Sequence, residues 1–159
     1  MTATKKRKFL SRVLPGIIFS ALIVLMLGAA FGNFDIEVNT DAIEEAVAEG
    51  QIPEEIMHGT QVVCFYSLVC PYCLKNARWL ESRRGFFHLK KGAPLTVIFG
   101  RPSQPRNPQQ FFDACGLDYD RMEYLDPDTF VSITNGKWPL VLVLKDGRVF
   151  HKFTCRMLF

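Results

Sequence analysis

Apolar and polar positions change character at about Gly32. Before it, Val13 to Phe31 form one run of 19 residues without a charge. After it, apolar residues come in short groups of two periods, and nothing repeats. Thr40 is placed to cap a short helix over residues 41–49, closed by Gly50. Residues 61–67, QVVCFYS, are rich in Val and aromatics and read as a buried strand. Residues 70–84 read as a helix, with Leu74, Ala77 and Leu80 on one face and Gly85 as the stop. LTVIFG, residues 95–100, is a second strand, and the proline-rich GRPSQPRNP that follows is the most loop-like stretch. Asn107 can cap a helix from Pro108 to Gly116. Residues 122–125 form a short strand, and 126–134 a helix with an acidic first turn. LVLVLK, residues 140–145, is a strand. Asp146-Gly147 then turns the chain into a return strand over 148–153.

Strands alternating with helices predict parallel pairing and a sheet covered on both faces. The Asp-Gly hairpin adds an antiparallel pair at one side. The expected fold class is α/β: a mixed sheet of four or more strands flanked by helices.

The long run changes the picture of the rest. Nineteen residues span roughly 28 Å as a helix, close to the hydrocarbon core of a bilayer. Lys5, Lys6, Arg7, Lys8 and Arg12 precede the run without an acid, which predicts a cytoplasmic N-terminus. One reading is therefore a cytoplasmic basic segment (1–12), one N-terminal transmembrane helix (13–31), a connecting segment with a short helix (32–60) and a domain over 61–159. The other is a cleaved signal peptide, with Gly28, Ala29 and Ala30 as the cleavage region. The run exceeds the usual signal core, which favours the anchor. Both readings place the domain on the exported side, in a bacterial periplasm or at the cell exterior.

Charge then needs correcting for the tail. The 159 residues, enough for one ordinary domain, carry a net charge of +3. Five of the 19 Lys and Arg precede the run and all 16 acids follow it, leaving 14 bases against 16 acids, a net of −2. The basic total is a topology signal, and nucleic acid is not an expected partner.

The strongest local chemistry is Cys70-Pro71-Tyr72-Cys73, just after a predicted strand and opening a predicted helix. There the first cysteine meets unpaired N–H groups and the positive end of the helix dipole, which stabilise the nucleophilic thiolate. Pro71 suits the first helical turn. Two intervening residues bring the second thiol back beside the first, where it can resolve a mixed disulfide. Competing uses fit less well. Zinc wants four ligands, and His58, His88 and His151 are scattered. Covalent haem wants His after the second cysteine, where this chain has Leu74. A structural disulfide at this spacing is strained and redox-labile.

These residues resemble the thioredoxin superfamily. Three stretches carry the resemblance: VVCFYSLVCPYCLKNARWL, LTVIFG and WPLVLVLKDGRVFHKF. It spans about residues 61–153. The anchor and the extra helix–strand–helix after Gly100 are similar to the membrane-anchored TlpA/ResA-like subgroup, whereas Cys-Pro-Tyr-Cys itself resembles glutaredoxins. The resemblance implies a thioredoxin-like fold and a thiol–disulfide oxidoreductase acting on exported proteins. Cys70 and Cys73 would be catalytic, and Pro139 would be a cis-proline that positions the substrate chain. Trp138 would either line a substrate groove or pack against the active-site helix. No metal or organic cofactor is implied. The implied partners are protein thiol and disulfide substrates and a membrane-embedded redox partner.

Two departures stand out. Cys64 occupies the position, six residues before Cys70, where the family keeps a buried acid. The family's helix after the terminal hairpin has no counterpart, which predicts a less covered sheet face or an apolar tail folded over it. Among the other residues, Cys64 and Cys115 read as structural, and Cys155 as the free or intermolecular thiol, with a Cys115–Cys155 bridge left open. Trp79, Phe86 and Phe87 read as core or rim. His88 and the pairs Arg83-Arg84 and Lys90-Lys91 read as surface. A non-catalytic binding module docking a membrane partner, and a metal chaperone, are the alternatives from other classes.

Overall fold

The computed structural model describes residues 37–83 and 93–154. The 13–31 run, Phe86, Phe87, His88, Lys90, Lys91 and Cys155 lie outside the described residues. Among the described residues no helix is long and apolar enough to cross a membrane.

Helix α1 covers Thr40–Ala48. Its cap is Asn39, whose side chain accepts from the Ala42 N–H at 3.2 Å. The cap thus lies one residue before the Thr40 expected from sequence; either residue type can fill this role, and Asn ranks above Thr at it. A short 3-10 turn, Glu54–Met57, leads into strand β1, Thr60–Tyr66. Then follow α2 (Pro71–Arg83), β2 (Leu95–Gly100), α3 (Pro108–Cys115), β3 (Arg121–Leu125), α4 (Pro127–Thr134), β4 (Leu140–Lys145) and β5 (Arg148–Phe153). Asn107 caps α3, Pro108 opens it, and Gly116 closes it in the left-handed region at φ 69°. Asp126 caps α4 from outside, accepting from the N–H groups of Asp128 and Thr129.

The sheet has five strands in the order β3-β2-β1-β4-β5. β1 pairs in parallel with β2, and β2 with β3. β4 pairs antiparallel with both β1 and β5. The β1–β4 pairing departs from the parallel expectation. The connection from β3 to β4 holds one eight-residue helix, about 12 Å long. A six-residue strand is about 20 Å, so this helix does not return the chain to the end where β1 starts. β4 enters at the end where β1 stops, with Leu140 opposite Phe65.

The period of two in β1 divides the core. Val63 and Phe65 pack with Ile43, Ala46, Phe130, Ile133, Leu140 and Leu142 on the α1–α4 face. Val62, Cys64 and Tyr66 pack with Cys73, Ala77, Leu80, Val97 and Phe112 on the α2–α3 face. Being covered on both faces, β1 reads as a continuous apolar run. Each fully buried Phe, Leu or Ile contributes about 1.5–3 kcal/mol.

At the β4–β5 turn both Asp146 and Gly147 have positive φ, 49° and 75°, as a two-residue hairpin requires. Asp146 also ties the turn to the start of β1, its Oδ1 accepting from the Gly59 N–H at 3.0 Å. Along β4 and β5 an apolar hollow of about 360 Å³ lies over Val141 and Val143, beside Trp79 and Phe150.

Candidate active site

The site forms where β1 stops. Residues 67–70 turn the chain, closed by the Cys70 N–H donating to the Ser67 carbonyl at 3.1 Å. α2 begins at Pro71, so Cys70 is the residue just before the helix. Its carbonyl accepts from the N–H groups of Cys73 and Leu74. The Cys73 N–H lies 3.4 Å from the Cys70 sulfur, so a backbone donor of the first turn faces the thiol that the sequence marks as nucleophile. Cys73 is fully buried, and its sulfur accepts from the Ser67 N–H at 3.4 Å. Cys70 is half-buried. One thiol is therefore open to a partner and the other lies behind it. None of Cys64, Cys70, Cys73 and Cys115 is in a disulfide.

The register of β4 brings the second half of the site. Leu140 pairs with Phe65, which puts Pro139 and Trp138 at the same end of the sheet as the 67–70 turn. The Trp138–Pro139 peptide bond is cis. Pro139 is buried. Trp138 is 39% exposed, and its ring meets Phe130 of α4 at 5.6 Å. It faces a hollow shared with Ser67 and Val69. The ring contact of Trp138 is thus with α4.

The basic residues of α2 turn elsewhere. Arg78 donates from Nε to the Ala114 carbonyl at 2.9 Å, joining α2 to α3. Lys75 lies over the Tyr72 ring. Cys64 is fully buried in β1. Cys115 closes α3, its thiol 3.6 Å from the Phe112 carbonyl, and burial pushes its ionisation up. His58 is exposed, 3.8 Å from Glu54, and His151 is exposed on β5 beside Phe150. Among the described residues no group of three or more His, Cys, Asp or Glu is arranged to hold a metal ion.

Two features were not read from sequence. Tyr66 and Asn76 form a buried hydrogen bond of 2.6 Å beneath the site. The available signal was that Asn76 lies three residues after Cys73, on the same helix face. The other is that Arg106, in the proline-rich loop, lines the hollow that holds Cys70 and, with Arg101, the hollow on the other side of the 67–70 turn. Two bases in that loop were visible, but not which way the loop lay.

No family model and no curated protein matches the chain. Solved structures do. The thioredoxin domain of a thiol-disulfide oxidoreductase from Bacteroides vulgatus superposes with a TM-score of 0.50 at 13% identity, over 63% of this chain and 73% of that one. A thiol:disulfide interchange protein from Bacteroides sp. gives 0.47 at 14% identity, over 60% of this chain and 64% of that one. At such identities the likeness to the Bacteroides vulgatus domain is one of fold, and the fold of this chain is thioredoxin-like.

Proposed function

We propose that the chain is a thiol–disulfide oxidoreductase that acts on protein substrates through Cys70 and Cys73. The observation that carries this is the pairing of a half-buried Cys70 sulfur, 3.4 Å from the Cys73 N–H, with a buried Cys73 sulfur on the first turn of α2. The cis Trp138–Pro139 bond at the same end of the sheet supports it.

In the reducing direction the Cys70 thiolate attacks one sulfur of a substrate disulfide. The substrate S–S bond breaks, one substrate thiolate leaves, and a Cys70–substrate disulfide forms. The Cys73 thiol gives up its proton and attacks Cys70 Sγ. The second substrate thiolate leaves and takes up a proton. The protein ends as the Cys70–Cys73 disulfide, oxidised by two electrons, and the substrate as a dithiol. The reverse sequence inserts a disulfide. The Cys73 N–H stabilises negative charge on Cys70 both as attacking and as leaving group. Pro139, with Trp138 beside it, positions the substrate chain.

The proposal extends to the compartment. The uncharged run 13–31 behind a basic cluster supports a single-pass membrane protein with its N-terminus in the cytoplasm and the domain exported, TlpA/ResA-like. There a membrane-embedded redox partner would reset the dithiol. The central test is trapping. A Cys73→Ser variant, acid-quenched and alkylated, should accumulate mixed disulfides through Cys70. A Cys70–Cys73 disulfide that resists mild dithiothreitol would overturn the reading.

A further inference from the structure

Two hollows of about 270 Å³ each flank the 67–70 turn. One contains Cys70 and is walled by Leu74 and Phe111. The other lies between Val69, Trp138 and Val131. Leu68, Val69 and Arg106 belong to both, so the two form one groove past the thiol. Six large hydrophobic side chains stand exposed among the described residues, and three line this groove: Val69 at 61%, Val131 at 47% and Trp138 at 39%. Such clustering marks a binding surface more than scattered exposure does.

The charge on this groove is one-sided. Arg101 and Arg106 line it, and no acidic side chain does. Neither guanidinium has a hydrogen bond or ion pair among the described residues. Other arginines are held: Arg78 by the Ala114 carbonyl and Arg121 by Glu55 at 2.9 Å. Asp126 and Asp128 stand on either side of Pro127, which lines the groove, and the Asp126 carboxylate is engaged in capping α4. This local positive pair, on a chain whose remainder beyond the basic tail nets −2, is open to a negative counterpart from outside.

We infer that this groove selects polypeptide substrates that carry an acidic side chain next to an apolar one beside the reacting cysteine. The inference rests on the oxidoreductase reading and names its substrate class. The apolar side chain enters between Val69, Val131 and Trp138. The acidic one pairs with Arg101 and Arg106 while Cys70 meets the substrate sulfur. Because the arginines are exposed, their effect falls on encounter and orientation and is screened by salt.

The test compares two symmetric peptide disulfides, identical except that Asp or Lys stands beside a Phe–Cys pair, as oxidants of the full chain in its dithiol form. Cys70 attack releases one peptide thiolate, and Cys73 attack releases the other. The expected result is a second-order rate constant roughly three- to tenfold higher for the acidic peptide at low salt, with the ratio shrinking at 0.5 M salt. In an Arg101→Gln/Arg106→Gln variant the ratio should fall to near one. Equal rates for the two peptides with the unchanged protein would overturn the inference, and so would a ratio that survives the double substitution. Neutral hydroxyethyl disulfide separates the two levels. If the unchanged protein reacts with it but shows no peptide preference, substrate selection alone fails. If it reacts with no disulfide, the oxidoreductase reading fails and takes the inference with it.

Discussion

The hydroxyl of Tyr66 donates a 2.6 Å hydrogen bond to Oδ1 of Asn76, and both residues are buried. Tyr66 is the last residue of β1, and Asn76 lies one turn past Cys73 on α2. The bond therefore pins the active-site helix to the strand that delivers it. Burial, followed by the charges of the neighbouring cysteines, pushes Tyr66 ionisation well up, so the hydroxyl stays a neutral donor at working pH.

Tyr66→Phe should lower stability by about 1–3 kcal/mol, because Asn76 Oδ1 is left buried without its donor. Asn76→Leu alone should cost a similar amount. The double variant should cost less than the two together, with a coupling of about 0.5–3 kcal/mol. Urea unfolding of the four proteins measures this. Additive losses would show that the bond does not join helix and strand.

Cys70→Ser should abolish mixed-disulfide trapping, and Cys73→Ser should enhance it, as read by non-reducing electrophoresis after alkylation. The assignment follows from exposure: Cys70 is half-buried and Cys73 fully buried. Adducts that persist in Cys70→Ser would reverse the two roles.

Asp126→Ala should lower the melting temperature at neutral pH, since the carboxylate accepts two N–H groups at the start of α4. Bonding to Thr129, through both its side chain and its N–H, holds the Asp126 carboxyl below its usual range. A depressed carboxyl stabilises the fold above its unfolded value, near pH 4, and this contribution is lost as pH falls through the folded value. The melting temperatures of the two proteins should therefore converge in acid. A gap that stays constant to pH 2 would refute the cap's charge dependence.

Gly100→Ala should destabilise by about 1–3 kcal/mol through overpacking. A Cβ on Gly100 would sit 3.0 Å from the Phe130 ring, and that ring packs against Trp138. The same substitution should shift Trp138 fluorescence if the crowding reaches the groove. Phe130→Leu in the Gly100→Ala background should recover part of the loss, as thermal unfolding would show.

What the sequence revealed was mostly local. Asp146-Gly147 specifies its own turn, Asn107-Pro108 its own helix start, and Cys70-Pro71-Tyr72-Cys73 its position between strand and helix. Each depends on a few neighbouring dihedrals and one or two short hydrogen bonds. The α1 cap slipped only between Thr40 and Asn39, adjacent residues of the same capping chemistry. What stayed hidden was set by partners far along the chain. The antiparallel entry of β4 depends on how far α4 reaches. The Tyr66–Asn76 bond exists only once α2 lies on β1. Arg101 and Arg106 line the groove because a loop of no regular pattern lies beside the 67–70 turn. The contact of Trp138 with Phe130 likewise joins residues that only the packing of α4 brings together.

The place of β1 in the sheet order has a consequence for motion. With β2 on one side, β4 on the other and a buried core over each face, its amides should be the most shielded from solvent exchange, whereas β5 at the rim, with no buried residue, should open early. Cys70 thus hangs from the slowest-opening part of the domain, while the arginine loop that frames it is exposed. On the proposed reading, recognition can adapt to many chains while the sulfur that would meet them stays still.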